Sequence, residues 1–183
     1  MRVILIIIFT GVAMSLANLD GFDAELVAQT NAAGGRMSRL AGLAPAEALA
    51  ITALRRWATA QSGNGRLQTR MMCEDFRSAL GAGTTGAIAA FLRFVAVLGA
   101  SRCEPFRHYA PCCPLLAVDE ANFAGLLRAC AGGRWGEARL FADRLAGEGA
   151  AGDLLGAASV LASALSRDAG AGDTPAARED PGG

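Results

Sequence analysis

Three of the chain's five cysteines, its only histidine and its only tyrosine fall within "CEPFRHYAPCCP", from Cys103 to Pro114. Cys103, His108, Cys112 and Cys113 stand in the spacing C-x4-H-x3-C-C. Thiolates with one imidazole are soft-to-borderline donors that suit zinc or iron. Adjacent cysteine side chains diverge, so a four-ligand site would need Cys73, earlier in the chain, to complete Cys103, His108 and one of Cys112 or Cys113. Redox chemistry is a second use of the same residues. Cys112 and Cys113 could close a strained vicinal disulfide, or either could pair with Cys103, with Arg107 and His108 favouring thiolate. A third reading needs no ligand: Pro105, Pro111 and Pro114 stiffen an extended connection, and the thiols and Tyr109 fill gaps where it crosses helix ends.

Other chemistries are narrowed by composition. All 17 basic residues are arginine, so Schiff-base chemistry, a P-loop lysine and a lysine general base are excluded. A single histidine removes any His-pair metal motif. There is no G-x-S-x-G and no H-E-x-x-H. Glu74-Asp75 and Asp119-Glu120 are adjacent carboxylates that diverge on a helix, and Asp119 reads as a helix cap with Glu120 in the positive first turn. An enzyme is therefore disfavoured, and its testable version is a cysteine nucleophile paired with His108. The 17 acidic residues balance the arginines, so no net field draws the chain to nucleic acid. Six arginines between Arg36 and Arg70 face only Glu47, but no aromatic residues interleave with them as a nucleic-acid surface would require.

The elements that must position these residues read as helices. Alanine and glycine are abundant, and Val and Ile are scarce after the first eight residues, which favours closely packed helices over sheet. The expected fold is all-α, a compact bundle of five or six short helices. Pro45 opens "PAEALAITALRRWATAQ", with Leu49, Ala50, Ala53, Leu54 and Trp57 inward. "RLQTRMMCEDFRSAL" should turn Leu67, Met71, Met72, Phe76 and Leu80 inward, with Cys73 beside that stripe. Thr84 or Thr85 caps a third helix through Ile88, Phe91, Leu92, Val95 and Leu98. "DEANFAGLLRACA" buries Phe123, Leu126, Leu127 and Cys130, and Gly132-Gly133 turns it into "RWGEARLFADRLAG" as an αα-hairpin. "DLLGAASVLASALSR" closes the set.

The ends of the chain read differently. Residues 1–17 are an apolar leader, either a signal peptide with cleavage near Ala17 or an upstream extension of a chain that starts at Met14. The first case places the protein in the periplasm or outside the cell, the second in the cytoplasm. Its apolar run is shorter than the roughly 20 residues a bilayer crossing needs, and no transmembrane span is expected. Residues 18–43 form a loosely ordered lead-in with a short helix at Asp23–Asn31. The helical domain covers 44–167, and the polar tail 168–183 is expected to be disordered.

The order "ALRRW", "CEDFRSALG", an apolar helix, a cysteine pair and "DEANFAGLLRACAGGRWGEARLFADRL" resembles a family of small, uncharacterised bacterial helical proteins with a close cysteine pair before an acidic helix start. The likeness touches Trp57, Phe76, Cys112, Cys113, Asp119 and Glu120. It implies an intracellular helical protein and carries no activity. The expected function is a non-enzymatic binding module acting on a protein partner. The alternative is a metal- or redox-responsive protein that uses the loop from Cys103 to Cys113.

Overall fold

Pro45 presets φ for a first helical position, and Glu47 puts a carboxylate against the positive end of the same turn. The first long helix begins there, α1 (Pro45–Thr59). The structure, a computed structural model, describes residues 39–61, 65–102, 104–146 and 149–166, all within the unit formed by residues 37–183. The leader, the expected helix at Asp23–Asn31 and the tail lie outside the described residues.

Five more α-helices follow among the described residues: α2 (Gly65–Leu80), α3 (Thr84–Ala100), α4 (Val118–Ala131), α5 (Trp135–Leu145) and α6 (Ala151–Ser166). The fold is all-α. Of the lead-in, residues 40–42 form one 3-10 turn.

Local chemistry explains where the helices stop. Gly81 takes φ +52°, a left-handed conformation open to glycine, and the Thr84 hydroxyl donates to its carbonyl at 2.6 Å. At the end of α4, Gly133 has φ +66°. Its N–H donates to Cys130 O at 3.1 Å, and the Arg134 N–H donates to Ala129 O at 2.9 Å. That pairing is a Schellman motif, and it reverses the chain into α5.

Packing centres on α4. This helix lies against α5, α6 and α1, while α3 covers α6 and α2 packs mainly on α1 and α3. Phe94 of α3 stacks on Phe123 of α4 with centroids 4.4 Å apart, and Phe76 of α2 meets Phe91 of α3 at 5.8 Å. Such pairs add about 0.5–1.5 kcal/mol beyond burial. Alanines 124, 138, 142, 157, 158 and 162 are all buried, so these helices approach closely. Residues 65–100 have the length and hydropathy of a span, but Gly81 breaks them. α3 alone has 17 residues, short of the roughly 20 needed to cross a bilayer, and it turns Phe91, Phe94, Val95 and Leu98 into the core.

Two expected inward positions on α2 are corrected. Met72, Phe76 and Leu80 are buried, but Leu67 is 57% exposed and Met71 37%. On α3, Leu92 is exposed while Phe94 takes its place inside. In both helices the buried stripe among the described residues is narrower than the run of apolar residues on offer.

Candidate functional site

Arg55 is a charged residue within the apolar run of α1, and its side chain has no exposed surface. Its five N–H donors all have acceptors. Nε donates to Glu120 Oε1 at 2.7 Å and Nη2 to Glu120 Oε2 at 2.7 Å. Nη2 also donates to Leu115 O at 2.5 Å, and Nη1 donates to Cys113 O at 2.6 Å and Ala110 O at 3.4 Å. Glu120, equally buried, accepts two further bonds, from Ala117 N–H at 2.8 Å and Tyr109 N–H at 3.2 Å. A bidentate pair with every donor and acceptor engaged is the condition under which a buried ion pair is tolerated. This pair threads the cysteine loop onto the junction of α1 and α4.

Asp119 holds the earlier half of the loop. The expected N-cap role is corrected: α4 starts at Val118 with Ala117 as its cap residue. That register places Asp119 inside the first turn, where its Oδ2 accepts from the Arg107 N–H at 2.9 Å and from Arg102 Nη2 at 3.0 Å. Arg102 also donates to Leu145 O at 2.7 Å and lies 5.6 Å from the Phe106 ring centroid. From the other side, the Leu40 N–H donates to Pro114 O at 2.9 Å, and Arg39 pairs with Leu115 as an isolated antiparallel bridge.

Within this frame Pro111 sits at the second position of a β-turn closed by Cys113 N–H to Ala110 O, 3.0 Å, the place where a fixed φ helps most. Cys112 is therefore at the turn tip and exposed, and Cys113 follows it, half-buried; both are free thiols. His108 is exposed, with Nδ1 3.2 Å from Tyr109 O. Cys73 is half-buried on α2 against the core. Cys103 lies outside the described residues. Among the described residues no three of His, Cys, Asp and Glu stand together as a metal-holding group.

Cys130 is buried on α4, where desolvation pushes its thiol pKa up and so disfavours the reactive thiolate. A second ion pair joins the same two helices: Arg128 donates to Glu47 from Nε at 2.8 Å and Nη2 at 2.6 Å. The hydrogen bond to Glu47 raises the Arg128 pKa, against some desolvation. The two pairs, 47 with 128 and 55 with 120, are each eight residues apart on their helices, about 12 Å of rise. They hold α1 antiparallel to α4, each carboxylate in a helical first turn or the turn's reach and each guanidinium toward the other end. Beside Glu47 and Arg128, an apolar cleft of about 190 Å³ opens between Leu127, Ala162 and Leu165.

The loop is visible in the sequence, whereas the role of Arg55 is not. The signal was present: an arginine four residues after Ile51 and one after Leu54, on the buried side of an apolar helix, calls for a buried partner. Nothing in the spacing says which carboxylate supplies it. Of the six arginines from Arg36 to Arg70, Arg55 is buried with Glu120 and Arg56 pairs with Asp75 at 2.5 Å. Arg36 lies outside the described residues. No family model matches the chain, and no curated protein or solved structure matches it.

Proposed function

We propose that this chain is a small helical binding module, not an enzyme, and that the exposed face of α2 docks an acidic amphipathic helix of a partner protein. The observation that carries the reading is the stripe of Leu67 and Met71, four residues apart and both exposed. Arg66 and Arg70 flank it at the same interval, both exposed, and neither has an ion-pair partner among the described residues. An apolar stripe bordered by guanidinium groups complements a helix with leucines on one face and carboxylates along its edge. The buried carboxylates Glu120 and Asp119 support the non-enzymatic part of the reading, since both are engaged in structure: Glu120 accepts from Arg55 and from the Tyr109 and Ala117 N–H groups, and Asp119 Oδ2 accepts from Arg102 and the Arg107 N–H.

The test is titration of the full chain with a fluorescent acidic amphipathic helical peptide and with its charge-reversed counterpart. Saturable binding of the acidic peptide alone is expected, weakened at least about tenfold by the double change Leu67→Asp and Met71→Asp. Equal binding of both peptides, or indifference to the double change, would sink the reading. Concentration-dependent dimerisation that the same change abolishes would assign the face to a second copy instead.

The second reading, a metal- or redox-responsive protein built on Cys103, His108, Cys112 and Cys113, is favoured by the presentation of Cys112 at a turn held by Arg55. Zinc or iron at one equivalent in protein purified under reducing conditions, lost with Cys112→Ala, supports its metal form. The likeness to small bacterial helical proteins favours a cytoplasmic location. Mass analysis of the mature N-terminus separates a cytoplasmic chain starting at Met14 from an exported one beginning at Asn18.

A further inference from the structure

We infer that Cys112 and Cys113 form a two-thiol exchange site for low-molecular-weight disulfides, and that closing it pulls the Cys113 carbonyl off Arg55. This rests on the redox form of the second reading. Both thiols are free, and the exposed one is at the tip of the turn, where an incoming disulfide meets it first. The half-buried partner is one residue away. Cys130 is buried and has its ionisation suppressed, so it does not compete.

The exchange runs in two steps. Cys112 thiolate, its proton released to water, attacks one sulfur of the reagent disulfide. The reagent's S–S bond breaks, one reagent thiolate leaves, and a mixed disulfide forms on Cys112. Cys113, its proton likewise released to water, then attacks the Cys112 sulfur as thiolate and expels the second reagent thiolate, and the two reagent thiolates take up the two protons. Two protein thiols are oxidised by two electrons, and the reagent is reduced to two thiols.

Closure has a mechanical consequence. Adjacent Cα atoms stand about 3.8 Å apart across a trans peptide, less than the roughly 4.4–6.8 Å a relaxed disulfide spans. The Cys112–Cys113 backbone must therefore distort to close the ring. That backbone also makes the turn bond from Cys113 N–H to Ala110 O, 3.0 Å, and accepts Arg55 Nη1 at Cys113 O, 2.6 Å. Arg55 is fully buried, so water does not replace a lost acceptor, and the cost falls on stability.

The experiment treats the full chain with glutathione disulfide and follows intact mass, peptide mapping and thermal melting. The expected result is a Cys112–Cys113 link without retained glutathione and a fall in melting midpoint of about 3–10 °C, reversed by reductant. Cys113→Ser should keep one glutathione on Cys112 with its midpoint unchanged, and Cys103→Ser should behave as the parent chain does. A link from Cys103 to either residue would overturn the vicinal site while leaving the redox reading of the loop standing. Failure of every loop thiol to oxidise overturns both. A vicinal link with an unchanged midpoint overturns the coupling to Arg55.

Discussion

Arg55 shows how one side chain can organise a segment sixty residues away. Its removal leaves Glu120 charged and buried and takes the side-chain donor from the Cys113 and Leu115 carbonyls, while Ala110 O keeps its turn bond from Cys113 N–H. Arg55→Met should therefore lower unfolding free energy by about 3–5 kcal/mol in urea denaturation. The double change Arg55→Met with Glu120→Met should stay more than about 2 kcal/mol below the parent, because the Tyr109 and Ala117 N–H groups also lose their acceptor. Full recovery in the double variant would mean that the ion pair holds only itself. At Cys130 the residue-scale effect is one of pH. Burial raises its folded pKa, so as pH climbs past the ordinary thiol value of about 8.5 the unfolded chain gives up its proton first. The stabilisation is complete below that pH and is lost above it. The urea midpoint of the parent should thus approach that of Cys130→Ala between pH 7 and pH 10, and parallel curves would contradict this.

Helix contacts in this protein depend on what a position lacks as well as on what it carries. Gly125 faces α5 where a Cβ would fall 2.6 Å from Phe141 Cζ and within 2.9 Å of both Cε atoms. The closeness of α4 and α5 requires that missing carbon. Gly125→Ala should cost about 1–3 kcal/mol by urea denaturation, and Phe141→Leu in that background should return part of it by clearing the ring. A neutral Gly125→Ala would place the ring's freedom above the helix spacing. The two faces of α2 make the opposite point. Its inner residues Met72, Phe76 and Leu80 are buried, while Leu67 stays 57% exposed and Met71, with its sulfur 3.3 Å from Arg56 Nη1, 37%. Periodicity finds an apolar stripe on a helix but does not say whether another helix lies over it.

At the scale of the described domain, α4 joins four of the other five helices: it touches α5 and α6 by apolar packing, α1 through two ion pairs, and α3 through Phe123 on Phe94, while α2 packs on α1 and α3. Amide hydrogen exchange should reflect this. Amides around Phe94, Phe123, Leu126 and Leu161 should exchange only through global unfolding, and those of residues 66–71 at least about 100-fold faster through local opening. Equal protection in both groups would show α2 to be as integrated as the centre. Much of this architecture was legible beforehand, because its causes are local. Pro45 starts a helix, the Gly132-Gly133 pair ends one, and the run from Phe123 to Cys130 shows its buried face through spacing alone. The candidate site was legible as a loop and not as a structure. Its residues are gathered by Arg55 and Glu120, which lie 65 positions apart, and by Leu40, still farther from Pro114. Sequence by itself determined the helices and the crowding of thiols between two of them, since backbone preference and periodicity act within a few residues. Only the tertiary structure decided which charge enters the core, which cysteine of the adjacent pair meets solvent and which apolar stripe stays bare, because those outcomes depend on which distant surface arrives to satisfy each group.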